Sequence, residues 1–326
     1  MTRLREFLSW ASRCRWALPS LIGAGFVFAF ASDRYSLINS YAQFVLVTVG
    51  INIILSTSLN LVNGYMGEFS VGHAGFMSLG AYASAVFTTK WMPDTPWVFF
   101  PSILFGGMVA AAIGFLLAVL SFKTRGDYLA IITLAFLMIV KSAFENIPYV
   151  GGPRGLLGID KYTTLVWTFF WVVVTLWVMR NLAYSKFGRA VVAIREDEIA
   201  ANAMGVRTRE AKILAFAVSS FFGGVAGGLF AHQIQFINPS SFDIIKSTEI
   251  LVMVYLGGVG SLAGSILGAV VFTFLAHALQ PLGTWRMVIM ALILVFLMLF
   301  RPRGIMGLRE LTWFLPTREI TKRSRT

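Results

Sequence analysis

Glu68, Ser70 and His73 lie close together in the stretch GYMGEFSVGHAGFMSLGAY, residues 64–82, which also carries glycine at 64, 67, 72, 75 and 80. A carboxylate, a hydroxyl and an imidazole at this spacing suit the passage of a polar solute. Hydrolytic chemistry is not indicated. The three histidines, at 73, 232 and 277, are far apart, and neither H-E-x-x-H, G-x-x-x-x-G-K-[ST] nor a nucleophile elbow occurs. The surroundings are as apolar as a membrane span, and a charge at the centre of a bilayer costs roughly 2.5–3.5 kcal/mol on insertion scales. Glu68 and His73 should therefore face protein or water. A broken or re-entrant backbone, which the glycines favour, is tolerated only where it is buried in protein or lines a cavity. For Glu68 two readings stand: a place on a polar pathway, or a tightly packed helix near the interface. For His73 packing is the favoured reading.

A second stretch has a related pattern. YMGEFSVGHAGFMSLGA (65–81) and YLGGVGSLAGSILGA (255–269) share a Tyr, a Gly two residues later, then Ala-Gly followed by Leu-Gly-Ala. Paired Gly-interrupted segments in two halves of a membrane chain point to a transport path between internal repeats. Glu249, just before the second copy, and Tyr255, which opens it, join Glu68, Ser70 and His73 as candidates for that path.

The elements that must position these residues are membrane helices. The 326 residues are 57% hydrophobic and 13% charged, where soluble domains carry about 25% charged residues. Apolar runs long enough to cross a bilayer recur throughout, at about 17–32, 37–57, 64–89, 97–122, 127–146, 162–180, 211–233, 247–259, 262–280 and 285–300. The expected fold is thus an all-α polytopic membrane protein of about ten transmembrane helices. It forms a single domain over residues 1–326, with broken or re-entrant segments and an internal inverted repeat of halves near 37–146 and 211–300. The first apolar run also resembles a secretory signal ending Ala29-Phe30-Ala31, but an uncleaved first helix fits better with the spans that follow.

The net charge of +12 does not indicate nucleic acid. Twenty of the 27 Lys and Arg gather in four patches, Arg3 to Arg15, Lys123 with Arg125, Arg180 to Lys212, and Arg301 onward. Ten crossings place all four on one side, as cytoplasmic loops require, with both termini inside. The one cysteine, Cys14, can form no internal disulfide. Glycines at four-residue spacing, Gly223 with Gly227, Gly224 with Gly228, and Gly260 with Gly264 and Gly268, are read as helix packing.

The inner loop, about 181–210, contains REDEIAANAMGVRTREAK (195–212). Glu196, Asp197 and Glu198 favour a helix N-terminus. Ile199 with Ala203, and Ala200 with Met204, fall on one face, and Gly205 can end the helix in a left-handed cap. This short helix either rests on lipid headgroups or docks a cytosolic partner.

The spacing Glu198-x-Ala200-Ala201-x-x-x-Gly205 resembles the coupling loop of ATP-binding-cassette (ABC) importer permeases, in the form carried by branched-chain amino acid permeases. TRGDYLAIITLAF (124–136), GGPRGLLGI (151–159), NPSSFDIIKSTEILVMVYLGGVGSLAGSILGA (238–269) and FRPRGIMG (300–307), with the 64–82 stretch, are similar to the M-type subunit of that family. The chain departs from it in having Glu68 where Gln is common, and Ala135-Phe136-Leu137-Met138 where Gly-Phe-Gly-Glu is frequent. The resemblance implies a non-catalytic permease of a bacterial inner-membrane importer for hydrophobic amino acids or small amides. It further implies a homologous second permease, two cytosolic ATPases that use ATP and magnesium, and an extracytoplasmic binding protein. No cofactor or metal is expected on this chain. The alternative is a self-sufficient channel or secondary transporter for small solutes.

Overall fold

The computed structural model describes residues 17–35, 38–92, 96–123, 128–283 and 304–307, with single positions between 285 and 300. The N-terminal basic patch with Cys14, most of the C-terminal patch and most of the tenth expected span lie outside these residues. The elements are α1 (Ala17–Tyr35), α2 (Ser40–Asn60), α3 (His73–Val86), α4 (Phe99–Ser121), α5 (Tyr128–Asn146), α6 (Leu165–Tyr184), α7 (Lys186–Glu196), α8 (Glu198–Ala203), α9 (Thr208–Ile234), α10 (Ile244–Gly257) and α11 (Leu262–Ala278). Wider π turns extend α2 to Tyr65 and α3 to Trp91. Among the described residues the β pairing is one antiparallel bridge, Leu156 with Ile237. Among the described residues, five helices are long and apolar enough to cross a membrane: Ser40–Tyr65, Phe99–Ser121, Tyr128–Asn146, Leu165–Tyr184 and Thr208–Ile234.

Two expected spans change their bounds. The run placed at 37–57 continues as helix to Tyr65, and the run placed at 64–89 is helical only from His73. Between them residues 66–72 are non-helical. Gly67 explains part of this. Its φ of +77° suits glycine, and a Cβ there would meet the Arg195 side chain.

The packing centre is α9, which runs against α2, α3 and α4. Small residues let these backbones approach closely, as helix association in lipid requires. Gly224 faces Gly80, Gly106 and Ala110, and Gly227 lies on the Met77 carbonyl. The expected packing role is therefore observed for these glycines, for Gly268 against the Met253 carbonyl and for Gly264 against Gly257, but not for Gly260, which lies in a turn before the helix with φ +81°. A polar seam joins α2 to α11. Asn52 Nδ2 donates to Thr273 Oγ1 (2.8 Å), Ser56 Oγ to the Ser265 carbonyl (3.1 Å), and Asn60 Nδ2 to Ser265 Oγ (2.7 Å) and the Ser261 carbonyl (2.9 Å). Four-residue spacing sets Asn52, Ser56 and Asn60 on one face of α2.

The connections fall into two groups at opposite ends of the bundle. At one end Arg195 donates to the Gly64 carbonyl, Arg209 to the Val119 carbonyl, and Lys212 to Glu68. Gly64 also abuts Gly260 there, and Gly304 abuts Gly258. At the other end Asp33 bonds Gln43 and the Val166 N–H, Tyr41 approaches His277 and Gln280, and Leu156 pairs with Ile237. The basic residues from Arg180 to Lys212 belong to the first group, called the basic end below.

Candidate functional site

Contacts along α9 fix the depth of the broken segment. From the basic end upward, Lys212 meets Glu68, Ser219 Oγ donates to the Ser58 carbonyl (2.6 Å), Gly223 faces His73, Gly227 faces Met77, and His232 approaches Thr88 Oγ1 at 3.0 Å. At 1.5 Å per residue, Gly223 stands about 16 Å above Lys212. Glu68 to Gly72 therefore climb from the basic end to mid-bundle in non-helical form, and α3 begins only there. This is a broken backbone within 64–82, the first of the two forms expected there, and it continues upward as α3 without turning back.

Such a backbone needs partners at depth, and the neighbouring helices supply them. The Glu68 N–H bonds the Val62 carbonyl (3.2 Å). Asn63 bonds both the N–H and the carbonyl of Ser70, at 3.3 and 3.4 Å. The Val71 N–H bonds Thr133 Oγ1 of α5 at 3.2 Å, while Ser247 Oγ of α10 donates to the Val71 carbonyl and receives the Ala74 N–H at 3.5 Å. His73 is buried, with Nε2 2.9 Å from Ser58 Oγ. It is packed, as favoured. Thr133, Ser247 and Asn63 were not singled out in the sequence, where hydroxyls and amides in apolar runs look alike.

Glu68 has a definite place. Its Oε1 accepts from Lys212 Nζ at 2.6 Å, and the same Nζ reaches Glu198 Oε2 at 2.8 Å. The Lys212 side chain is only 8% exposed, against 21% for Glu68 and 51% for Glu198. One buried cation thus joins the foot of the broken segment to the short helix α8. Arg195, the last basic residue of α7, adds the Gly64 bond and pairs with Glu196 Oε1 at 2.6 Å.

Helix α8 forms much as its sequence dictates, with two revisions. Asp197 is the N-cap, its Oδ1 accepting the N–H of Ile199 (2.8 Å) and Ala200 (3.0 Å), while Glu196 ends the preceding helix. Gly205 has φ +84°, and the Val206 N–H returns to the Ala201 carbonyl (3.1 Å), closing the expected left-handed cap. The second revision concerns the faces. Ala201 is 5% exposed and turned into this chain, whereas Ile199 and Met204 are 83% and 84% exposed. Ala200 also lies on the open side. The surface offered outward is therefore two large apolar side chains over a charged surround, not the small alanines alone. Beside it a cleft is lined by Asn202, Arg207, Thr208, Arg209, Glu210 and Ile213.

The second glycine stretch also forms a helix–break–helix. After Gly257 the chain breaks at 258–261, and α11 starts at Leu262 under the Ser261 N-cap. The Gly304 turn seals this break, with the N–H groups of Ile305 and Met306 donating to the carbonyls of Leu256 (2.9 Å) and Gly257 (3.0 Å). Tyr255 is partly exposed near the same place. Glu249 stands three residues from Lys246 on α10 and accepts from its Nζ at 3.1 Å. The two glycine breaks open at the same end and meet, since Asn60 Oδ1 accepts the Gly260 N–H at 2.9 Å. The pair noticed in sequence thus has one sense and is not related by inversion.

A family model described as "Branched-chain amino acid transport system / permease component" matches residues 41–299. The chain belongs to this permease family. It is 33% identical over 291 residues to the Escherichia coli K12 high-affinity branched-chain amino acid transport system permease protein LivM, covering 78% of this chain and 68% of that protein. The probable branched-chain amino acid transport permease LivM of Methanocaldococcus jannaschii is 25% identical, covering 70% and 78%. The Salmonella typhimurium permease protein LivH is 24% identical, covering 79% and 91%. No solved structure matches. Within this branched-chain permease family, the chain resembles both named permease types of one transport system.

Proposed function

We propose that this chain is one permease subunit of an ABC importer, carrying branched-chain or other hydrophobic amino acids, or related small amides. The observation that carries the reading is the Lys212 bridge. It ties a broken, non-helical segment of the bundle to a short helix that presents Ile199 and Met204 at the basic end. A cytosolic ATPase gripping those side chains moves α8, and the ion pairs pass that motion to the segment beside the path. Glu196, Asp197, Glu198, Ala200, Ala201 and Gly205 build this coupling loop. Glu68, Ser70 and His73 belong to the moving segment, and Glu249 and Tyr255 to the path itself.

The chain crosses the inner membrane ten times as one domain, with the basic end and both termini in the cytoplasm. Its repeat halves are inverted and pair differently from the glycine motifs. Ser40–Tyr65 and Thr208–Ile234 are each followed by a break in the α-helix, the second holding a 3-10 turn at Pro239–Ser241, and then a 14-residue helix, α3 or α10. These short helices start side by side at Ala74 and Ser247 and run to opposite ends. A second permease of LivH type, two ATPases using ATP and magnesium, and an extracytoplasmic binding protein complete the importer. This chain performs no catalysis. Reconstituting it with these partners in liposomes should give leucine uptake that requires ATP and the binding protein. Uptake by this chain alone, down a gradient and without ATP, would replace the reading with a channel.

A further inference from the structure

Resting on that reading, one helix face remains to be explained. Ile245, Thr248, Glu249, Val252 and Tyr255 recur at helical spacing on α10 and are wholly or partly exposed, while Ser247, Ile250, Met253, Val254 and Leu256 are buried or turned inward. The Lys246–Glu249 ion pair lies on the open side, with side chains 19% and 31% exposed. Its depth follows from Ser247, which bonds Val71 and Ala74 at the start of α3, level with Gly223. Glu249 is about 12 Å from Gly257 at the basic end, well inside a hydrocarbon core about 30 Å thick.

Lipid is a poor neighbour for this face. Each charge at that depth costs roughly 2.5–3.5 kcal/mol, and one ion pair repays its desolvation only when further hydrogen bonds satisfy both groups. Glu68 differs, being held by a cation that is shared with Glu198.

We infer that the uncovered face of α10 lines the water-filled path, and that Lys246 and Glu249 are the charged pair a zwitterionic cargo meets there. The cargo ammonium takes Glu249 and the cargo carboxylate takes Lys246, so one ion pair is exchanged for two. Ile245 and Val252 on the same face lie alongside an aliphatic side chain. A purely cationic or anionic solute would leave one protein charge unmatched, which sets selectivity for zwitterions. Helix α10 is thus a specificity element, whereas α8 and the Lys212 bridge are coupling elements.

The test uses the complete importer in proteoliposomes, in a Cys14→Ser background. A charged, membrane-impermeant methanethiosulfonate should modify Thr248→Cys, leucine should slow the reaction, and modification should block uptake. The same reagent should leave Trp177→Cys unmodified, on the apolar helix α6 where Trp177 is 63% exposed in this chain. Glu249→Gln and Lys246→Met should each lower leucine uptake about tenfold or more, since each removes one charge-assisted contact to the cargo. The exchange Lys246→Glu with Glu249→Lys should recover part of it. Size-exclusion profiles check that each variant assembles. An unreactive thiol at 248, or a reactive one whose modification leaves uptake unchanged, would overturn the inference, as would parental leucine uptake in both single variants. Failure of the parent complex to transport leucine with ATP would instead count against the functional reading, and thiol reactivity at 248 would still decide whether this face meets water.

Discussion

Lys212→Met removes the one cation shared by Glu68 and Glu198 while keeping most of the side-chain volume. Breaking a fully buried ion pair from one side costs about 3–5 kcal/mol, because a charge is left stranded. Here the stranded groups are partly wet, at 21% for Glu68 and 51% for Glu198. Glu198 can turn to solvent at little cost, as exposed pairs do, so the loss comes mostly from Glu68 and should be about 2–3 kcal/mol. The lost aliphatic packing is small, since Met fills a similar space. The assay is thermal unfolding of the purified subunit in detergent, followed by size exclusion, for Lys212→Met, Glu68→Gln and the double variant. Glu68→Gln alone should be mild, because Lys212 keeps Glu198. The double variant should recover at least half of the Lys212→Met loss. In the assembled importer Lys212→Met should lower leucine uptake more than ATP hydrolysis. Parental stability in Lys212→Met, or no recovery in the double variant, would refute the claim that a stranded carboxylate sets the magnitude.

Three further outcomes follow from the geometry. Ile199→Asp or Met204→Asp should leave the subunit folded but abolish co-purification of the ATPase, whereas Ala201→Glu should destabilise the subunit itself; equal folding in all three would remove the outward-facing assignment. Asn60→Leu strands the Gly260 N–H, while the Ser261 carbonyl keeps the Ser265 N–H and Oγ, and should cost about 1–3 kcal/mol for one stranded group, read by detergent unfolding; a change below about 0.5 kcal/mol would mean water substitutes freely. In a Cys14→Ser background, a thiol introduced at Leu157, 70% exposed on the 147–164 connection, should react from outside intact cells and one at Arg195 should not; the reverse pattern would invert the topology.

The elements that proved legible in the sequence depend on local chemistry. Asp197 and Gly205 bound α8 because cap preferences act within a turn. The glycines at 223–228, and Gly264 with Gly268, pack because four-residue spacing keeps small residues on one face, whereas Gly260 lies in the break with φ +81°. What was not legible depends on distance in three dimensions. Glu68 read equally as pathway or packing, since its partner Lys212 comes 144 positions later at the start of another apolar run. A six-residue helix is too short for periodicity to give its faces, so the inward turn of Ala201 was hidden. The apolar run 37–57 stops short of the helix, which continues to Tyr65, and glycines at 64, 67 and 72 look alike in sequence. Only Gly67 has the positive φ that accompanies the break.

The Gly304 turn bears on how the chain is made. The carbonyls of Leu256 and Gly257 end α10 inside an apolar bundle, and they obtain hydrogen bonds from the N–H groups of Ile305 and Met306. Those donors leave the ribosome after the acceptors by roughly 2–10 s, at about 5–20 residues per second. During that interval the end of α10 must keep water, or another donor, on its carbonyls. Biogenesis of this half therefore closes from its last stitch: α10 and α11 can enter the bilayer early, but their junction acquires its final bonds only when the 304–306 turn folds back onto it. A nascent chain arrested before residue 304 should be held at this junction, open to the insertion machinery and to proteases, long after its other helices have packed.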